Sequence, residues 1–374
     1  MPGQPFERTP LAMAKFLVAV ACLCSATGCT QTPHEASVEA DARAAVQSGP
    51  IAASESADDF FDGKPHGPYR VDEALLQAAD AAIGPEPATP AEAERMLTAI
   101  YVHPLYVEVQ RRTAAYDVVS KFERNPDGSA VRSPRNWSEA KYRNADGVWQ
   151  PERAAEQQAA VARLLNPAAV APPGTTPKAF VLLGSPAAGK TSVGAPRAKA
   201  LGCEFTTVND DDVAPLLRGY EGWNATMLHV ESSYVVKELL TRKAIELHHN
   251  LLLDTTGADS HSTRQRIDRL VEAGYEIHIC HVATPPEKCA WRAWNRFRAN
   301  AFGPPDEDRG RFVDPKFVYY GMGHKADATY EALKNLPNVV SWVRLMPAGI
   351  GQPPKILDQG ERKPSSESRD AAAP

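Results

Sequence analysis

The sequence predicts an α/β fold: a doubly wound, mostly parallel sheet flanked by helices, with a helical region on its N-terminal side. Three observations predict it. Short, wholly apolar runs alternate with helix-patterned stretches between Lys178 and Leu345. The junctions between them carry helix-capping residues. A glycine-rich loop, GSPAAGKT from Gly184 to Thr191, stands between the first apolar run and the next helical stretch. Strands that are apolar at every position are buried on both faces, as in a parallel sheet covered by crossover helices.

At 374 residues the chain has room for one large domain or two moderate ones. A net charge of -5 gives no basic surface for nucleic acid, so no nucleic-acid partner is expected. No run of 18 apolar residues is present, so no membrane-spanning helix is expected either.

The first segment reads as an export signal. Lys15 precedes an apolar run from Phe16 to Ala26, and Ala26-Thr27-Gly28-Cys29 closes it. A charged start, a short apolar core and small residues before a cysteine resemble a bacterial lipoprotein signal. Residues 1–29 are therefore expected to be a signal peptide, with Cys29 lipidated. The protein would be membrane-anchored outside the cytoplasm through the lipid alone; without such a signal it would be cytoplasmic. Thr30 to Tyr69, rich in Ala, Ser, Glu, Asp and Pro, reads as a flexible tether. Of the six cysteines, Cys203, Cys280 and Cys289 lie in the body of the chain. With no CxxC pair they form neither a disulfide framework nor a zinc site.

Residues 70–170 are patterned as helices. Ala74–Ala79 is one, Pro90–Leu97 a second with Thr89 as cap, and Gln150–Leu165 a third. Residues 171–346 form the predicted sheet domain. Its strands are Ala179–Leu183, Phe205–Val208, Leu251–Leu253, Ile277–Ala283 and Val339–Leu345. Ser262 to Gln265 and Thr284 to Glu287 read as capping boxes, and Gly274 as a helix stop. Residues 347–374, rich in Pro, Gly and Ser, are expected to be a disordered tail.

Gly184-x4-Gly189-Lys190-Thr191 after a strand and before a helix is a P-loop pattern, which places the fold among P-loop NTPases. Glycines let backbone N–H groups turn inward onto phosphate oxygens. The triphosphate of ATP would thus lie against Gly184, Ser185, Pro186, Ala187, Ala188, Gly189, Lys190, Thr191 and Ser192. Lys190 would reach the β and γ phosphates, and the Thr191 hydroxyl would ligate Mg²⁺. Gly194 and Pro196 predict a short or kinked helix after the loop.

The phosphate acceptor must be read elsewhere. The second strand ends in Asn209-Asp210-Asp211-Asp212, where an aspartate can take the proton of an attacking hydroxyl. Asp211 leads; the competing reading is an acidic turn that caps a helix. The third strand ends in Asp254-Thr255-Thr256-Gly257, so Asp254 also fits a Mg²⁺-holding Walker B carboxylate. No Asn-Lys-x-Asp sequence exists, which argues against a GTPase. Arg292, Arg296, Arg298, Arg309 and Arg311 follow, and phosphoryl transfer needs such charge at the γ-phosphate. Arg292 and Arg309 read as solvated. His278 and His281 would point to opposite faces of a strand, which opposes a shared metal.

From Pro177 to Leu336 the chain resembles the zeta toxin family of P-loop kinases, with a fainter echo in Asp146–Arg153. The specific motifs are NDDD, HVESSYVV, LLLDTT and RFRANAFGPPDEDRGRF. The resemblance implies Asp211 as the base, Asp254 and Thr256 in the place of a Glu-x-Thr substrate pair, and Glu231 beside the substrate. It implies two γ-phosphate arginines, Arg298 with Arg311, with Arg296 competing for the first place. It further implies ATP-dependent phosphorylation of a sugar hydroxyl in UDP-N-acetylglucosamine, and an antitoxin protein as a candidate partner. Two alternatives stand beside it: a lipid-anchored nucleotide-binding module or weak ATPase, and a kinase for a nucleoside or antibiotic hydroxyl.

Overall fold

The computed structural model describes residues 72–114, 116, 118–124, 129–302, 310–349 and 351–362. The expected signal with Cys29, the tether and Arg309 lie outside these residues. All described residues fall within one compact unit.

Three helices come first: α1 (Glu73–Ile83), α2 (Pro90–Val102) and α3 (Pro104–Ala114). Asp72 caps α1 by accepting from the Ala74 amide, and α2 begins with the expected Thr89–Glu92 capping box. Helices alone were expected up to residue 170. Instead β1 (Val118–Arg124) and β2 (Ala130–Ser133) pair antiparallel. The sequence between them, Asn125-Pro126-Asp127-Gly128, is rich in turn formers, and Val118-Val119 favours extended backbone. Then follow α4 (Trp137–Tyr142) and α5 (Pro151–Leu164), the latter opened by proline at its first position.

The sheet begins with β3 (Lys178–Leu183). A single π-type turn, Lys190–Gly194, leads into the short α6 (Ala195–Lys199), whose first turn accommodates Pro196. Gly194 is needed for another reason: a Cβ there would stand 2.3 Å from Leu182 Cδ1, so this turn packs against β3 backbone-close. β4 (Thr206–Val208) is followed by α7 (Asp210–Val213), α8 (Ala225–Tyr234), a π-type stretch over Val235–Leu240 and α9 (Thr241–Glu246). β5 (Leu251–Thr255), α10 (Ser260–Glu272), β6 (Glu276–Val282) and α11 (Pro286–Arg298) complete the alternation. After a further π-type stretch over Phe317–Met322 come α12 (Lys325–Leu333), β7 (Val339–Met346) and β8 (Lys355–Glu361).

Two caps differ from expectation. Asp259, not Ser262, caps α10, because its carboxylate is placed to accept the Ser262 amide. Thr284 does not cap α11; its hydroxyl donates instead to the Ala188 carbonyl.

The strand order is β4-β5-β3-β6-β7-β8. The first five run parallel, and β8 closes the edge antiparallel to β7. β8 corrects the expectation of a disordered tail from residue 347. Gly360 lets it lie flush on Trp342, where a Cβ would collide at 2.2 Å, and Arg362 stacks over the same ring at 4.7 Å.

Side chains alternate between the two faces. Phe180, Leu182, Cys280 and Val282 meet Ala293, Trp294 and Phe297 of α11 on one face. Val181, Leu183, Leu253 and Ile279 meet Ile267, Leu270 and Tyr330 on the other. Ile83, Leu97, Ile100 and Tyr106 belong to the same core as Trp294 and Phe297. The expected domain boundary at 170/171 is therefore not a break in packing: the first three helices cover apolar surface of α11 that would otherwise face water. Among the described residues no helix is long and apolar enough to cross a membrane.

Candidate active site

The glycine-rich loop leaves β3 at Leu183 and turns back under the ends of the central strands. Gly184 has φ 155°, and a Cβ there would stand 3.0 Å from the Val282 carbonyl of the neighbouring strand β6. Ala187 adopts the left-handed region at φ 60°, a strained conformation for a residue with a side chain. The loop is pinned from outside by the Thr284 hydroxyl, 2.7 Å from the Ala188 carbonyl. Ser185 is buried, whereas Thr191 and Ser192 at the start of the following turn are exposed.

Lys190 closes on its own loop. Its Nζ donates to the carbonyls of Gly184 at 2.7 Å and Ser185 at 3.2 Å, and stands 3.5 Å from Asp254 Oδ1. Asp254 is the last residue but one of β5, the strand directly beside β3. Burial pushes its carboxyl above the usual aspartate range; the Lys190 charge opposes this and Asp211 adds to it.

On the acceptor side, Asn209 caps α7 by accepting the Asp211 amide at 3.0 Å. The capping duty that competed for Asp211 thus falls on Asn209, and the Asp211 carboxylate points elsewhere: its Oδ2 lies 2.8 Å from Arg311 Nη1. Arg311 sits on a segment held at both sides. The Gly310 amide donates to the Arg296 carbonyl at 3.2 Å, and the Phe312 amide to the Gly222 carbonyl at 3.1 Å. Phe312 packs on Phe297 and Tyr106, so α3 and α11 together support the arginine. Thr256 lies just past β5, its hydroxyl 3.4 Å from the Ala258 amide. Lys190, Asp254, Asp211 and Arg311 thus come together at the C-terminal ends of adjacent parallel strands, where open α/β sheets bind ligands.

Two predicted residues are not part of this group. Arg298 Nη1 lies 2.6 Å from Asp80 of α1, and Asp80 also contacts His103 Nε2 at 3.1 Å. The cause is helical spacing: Lys288, Trp291, Arg292 and Arg298 lie on the side of α11 that meets α1. Lys288 and Arg292 pair with Glu86, and the Trp291 indole donates to the Gly84 carbonyl. Arg292 is therefore an ion-pair partner and not a solvated charge. Glu231 is wholly buried, and its two oxygens accept from Arg153 Nε at 2.7 Å and Nη2 at 2.8 Å. Gln157 adds a third bond at 2.7 Å. Nothing remains of Glu231 for a substrate. It ties α8 to α5, a role that Arg153 in the segment Asp146–Arg153 could have signalled. Of Arg296, the part that serves this site is the carbonyl holding Gly310.

His278 and His281 do lie on opposite faces of β6. Nδ1 of His278 is 2.8 Å from the Ser341 hydroxyl, and His281 faces Asp327 at 3.8 Å. Burial brings both rings down to about 4, so they are neutral at physiological pH. Among the described residues no group of three His, Cys, Asp or Glu side chains could hold a metal ion. A lone threonine hydroxyl beside a phosphate-binding lysine fits Mg²⁺ only when nucleotide phosphates complete its shell.

Residues 161–343 match the profile of the zeta toxin family. Among solved structures, the chain is similar to one from the PezAT chromosomal toxin-antitoxin system of the human pathogen Streptococcus pneumoniae. The identity is 17% and the TM-score 0.44, over 55% of this chain and 81% of that one. It is also similar to the AvrRxo1-ORF1:-ORF2 structure with ATP, at 16% identity and TM-score 0.44, over 65% and 74% of the two chains. The native AvrRxo1-ORF1:-ORF2 complex follows at 14% and 0.42, over 74% of each chain. No curated protein sequence matches the chain.

Proposed function

We propose, from the match of residues 161–343 to the zeta toxin profile and the site geometry above, that this chain moves the γ-phosphate of ATP to a small-molecule hydroxyl. The acceptor we name first is the sugar of UDP-N-acetylglucosamine. The observation that supports this reading most is the Arg311–Asp211 pair of 2.8 Å beside the Lys190–Asp254 contact of 3.5 Å. A base for the acceptor and a cation for the phosphoryl group then stand side by side.

ATP exchanges the partners. Its phosphates draw Lys190 away from the Gly184 and Ser185 carbonyls, and Arg311 away from Asp211. Asp211, released, accepts the proton of the attacking hydroxyl as its oxygen bonds to the γ-phosphorus and ADP departs. Asp254 and Thr256 orient the acceptor. Thr191 would hold Mg²⁺, which when bound neutralises charge on the β and γ oxygens. Arg311 supplies positive charge from a site already held by Gly222, Arg296 and Phe312, so little reorganisation accompanies the reaction.

The test is Asp211→Asn with labelled ATP and a panel of UDP-sugars, nucleosides and antibiotics. Phosphotransfer should collapse while nucleotide binding persists; unchanged turnover removes the kinase assignment. Product formed only from nucleosides or antibiotics would reassign the acceptor. By the same family reading, a protein antitoxin is a candidate partner. The lipoprotein reading of Cys29 is tested by Cys29→Ser and membrane fractionation: release of the protein from the membrane supports it, and an unmodified soluble wild type ends it.

A further inference from the structure

The cation of the candidate site is aimed from behind. Among the described residues the Arg311 guanidinium has one ion pair, to Asp211, and its Nε is closed to solvent without a hydrogen-bond partner. That single pair is the one a ligand would exchange, so the direction of the side chain must be set by the backbone that carries it. This backbone runs in a tight passage. A Cβ on Gly222 would lie 2.5 Å from the Gly310 carbonyl, and a Cβ on Gly310 would lie 2.7 Å from the Asn300 carbonyl. Both glycines take left-handed backbone, at φ 72° and 77°, which other residues rarely adopt.

Beyond Arg311 the chain is anchored by one side chain of a distant helix. Tyr106 of α3 is buried, and it meets both Phe312 and Asp314. Its ring stands edge-on to Phe312 with centroids 5.9 Å apart, and its hydroxyl donates to Asp314 Oδ2 at 3.3 Å. Tyr101 and Trp294 pack on the same ring at 5.1 and 6.4 Å, so in a close-packed core Tyr106 cannot swing aside alone. Asp314 is held from its own side as well, where Oδ1 accepts the Lys316 amide at 2.9 Å. Burial pushes its carboxyl above the usual aspartate range, and these two hydrogen bonds offset part of the lost hydration. Further along α3, Arg112 grips the other walls of the passage. Its guanidinium lies 4.3 Å over Phe302 and 5.4 Å over Trp223, the neighbour of Gly222. One helix thus touches each stretch of chain that borders Arg311.

We propose that Tyr106 is a positioning residue for Arg311: through Phe312 and Asp314 it fixes the direction from which the guanidinium meets the γ-phosphate. This rests on the reading of Arg311 as the cation of phosphoryl transfer. A donor held in place beforehand needs no reorganisation as charge develops, whereas a misplacement of about 1 Å can cost about 10²-fold in rate. A helix outside the matched stretch 161–343 then sets the reactivity of a residue inside it.

The test reads the γ-phosphate directly and needs no acceptor. The non-hydrolysable analogue AMP-PNP and ADP, each with Mg²⁺, are titrated calorimetrically into wild type, Tyr106→Phe, Tyr106→Leu, Arg311→Ala and the double variant Tyr106→Phe/Arg311→Ala. Wild type should prefer AMP-PNP to ADP, and Arg311→Ala should lower that preference about tenfold, the worth of one charge-assisted contact. Tyr106→Leu should approach Arg311→Ala. Tyr106→Phe keeps the ring on Phe312 and drops only the hydroxyl, so it should fall between Tyr106→Leu and wild type. ADP affinity should not change in any of them. With Arg311 already replaced, Tyr106→Phe should cost nothing further, because the two residues act as one unit. Ile83→Ala opens the same core from α1, so it should lower the melting temperature and leave the nucleotide preference at the wild-type value. In turnover, kcat should fall in Tyr106→Leu while the KM for the acceptor stays. An unchanged preference in both Tyr106 variants, an equal loss with and without Arg311, or the same loss in Ile83→Ala each overturns the inference. If Arg311→Ala itself keeps the wild-type preference, or wild type shows none, it is the reading of Arg311 as the phosphoryl cation that falls.

Discussion

Two charge clusters, built on Asp211 and on Glu231, have opposite designs. Around Glu231 every oxygen and nitrogen is matched inside the protein, and Arg153 and Glu231 are both 0% exposed. Around Asp211 the matches are single and open: the Asp211 side chain is 48% exposed, and its partner Arg311 reaches it through one contact. The closed cluster cannot exchange partners without unfolding its surroundings, whereas the open one can exchange them for a ligand. The difference teaches that a motif glutamate and a motif aspartate are told apart by what already satisfies them.

The largest effect expected is on turnover. Arg311→Ala should slow phosphotransfer by about 10³-fold or more, since an arginine at a transferring phosphoryl is worth that much. Stability should change by no more than about 1 kcal/mol, because Asp211 is half-exposed and water can take the place of its partner. Single-turnover kinetics beside thermal melting reads both; a stability loss without a rate loss would erase the contrast between the clusters. Glu231→Ala should do the reverse, costing about 3–5 kcal/mol in denaturant titration by stranding a buried Arg153.

The buried histidines sharpen the comparison through pH. In the unfolded chain His278 titrates near 6.5, and in the fold at about 4. Between those values the unfolded state binds more protons, so stability falls as pH drops from 6.5 to 4 and is retained above 6.5. The loss from His278 reaches about 3 kcal/mol at the lower end. Comparing denaturation of wild type and His278→Asn at pH 7 and pH 4.5 checks it, with a flatter profile expected for the variant. The smallest effect is assigned to Arg298→Ala. Its pair with Asp80 is about one-third exposed on both sides, so stability should shift by about 1 kcal/mol or less. Turnover should stay within about threefold of wild type; a loss comparable to that of Arg311→Ala would return Arg298 to the phosphate.

Much of the fold was legible because its signals are local. Apolar runs placed the five parallel strands to within a residue or two, and the phosphate loop announced itself by glycine spacing. β8 was not legible, since Lys355 to Glu361 carries four charged or amide side chains and is held by pairing to one edge. α1 and α2 read as helices and α3 only as part of a helical region, but nothing local revealed that Leu97 and Tyr106 share a core with Trp294. At the site, residues on strand ends were readable and those on α11 were not. The direction in which Arg298 points is decided by Asp80, more than 200 residues upstream, and the fate of Glu231 by Arg153. A motif gives residue types and spacing; long-range partners decide which of them remain available.

The closed cluster has a consequence for anyone who trims this chain. The stretch matched by the zeta toxin profile, 161–343, retains the phosphate loop, Asp211, Asp254 and Arg311. It omits Arg153 and Gln157, which hold Glu231, and β8, which covers the edge of β7. The extent of the profile match and the extent of the packed body thus have different endpoints in this sequence. A fragment cut at the limits of that match would carry all four residues of the candidate site inside a body with a stranded carboxylate in its interior and a bare strand at its rim.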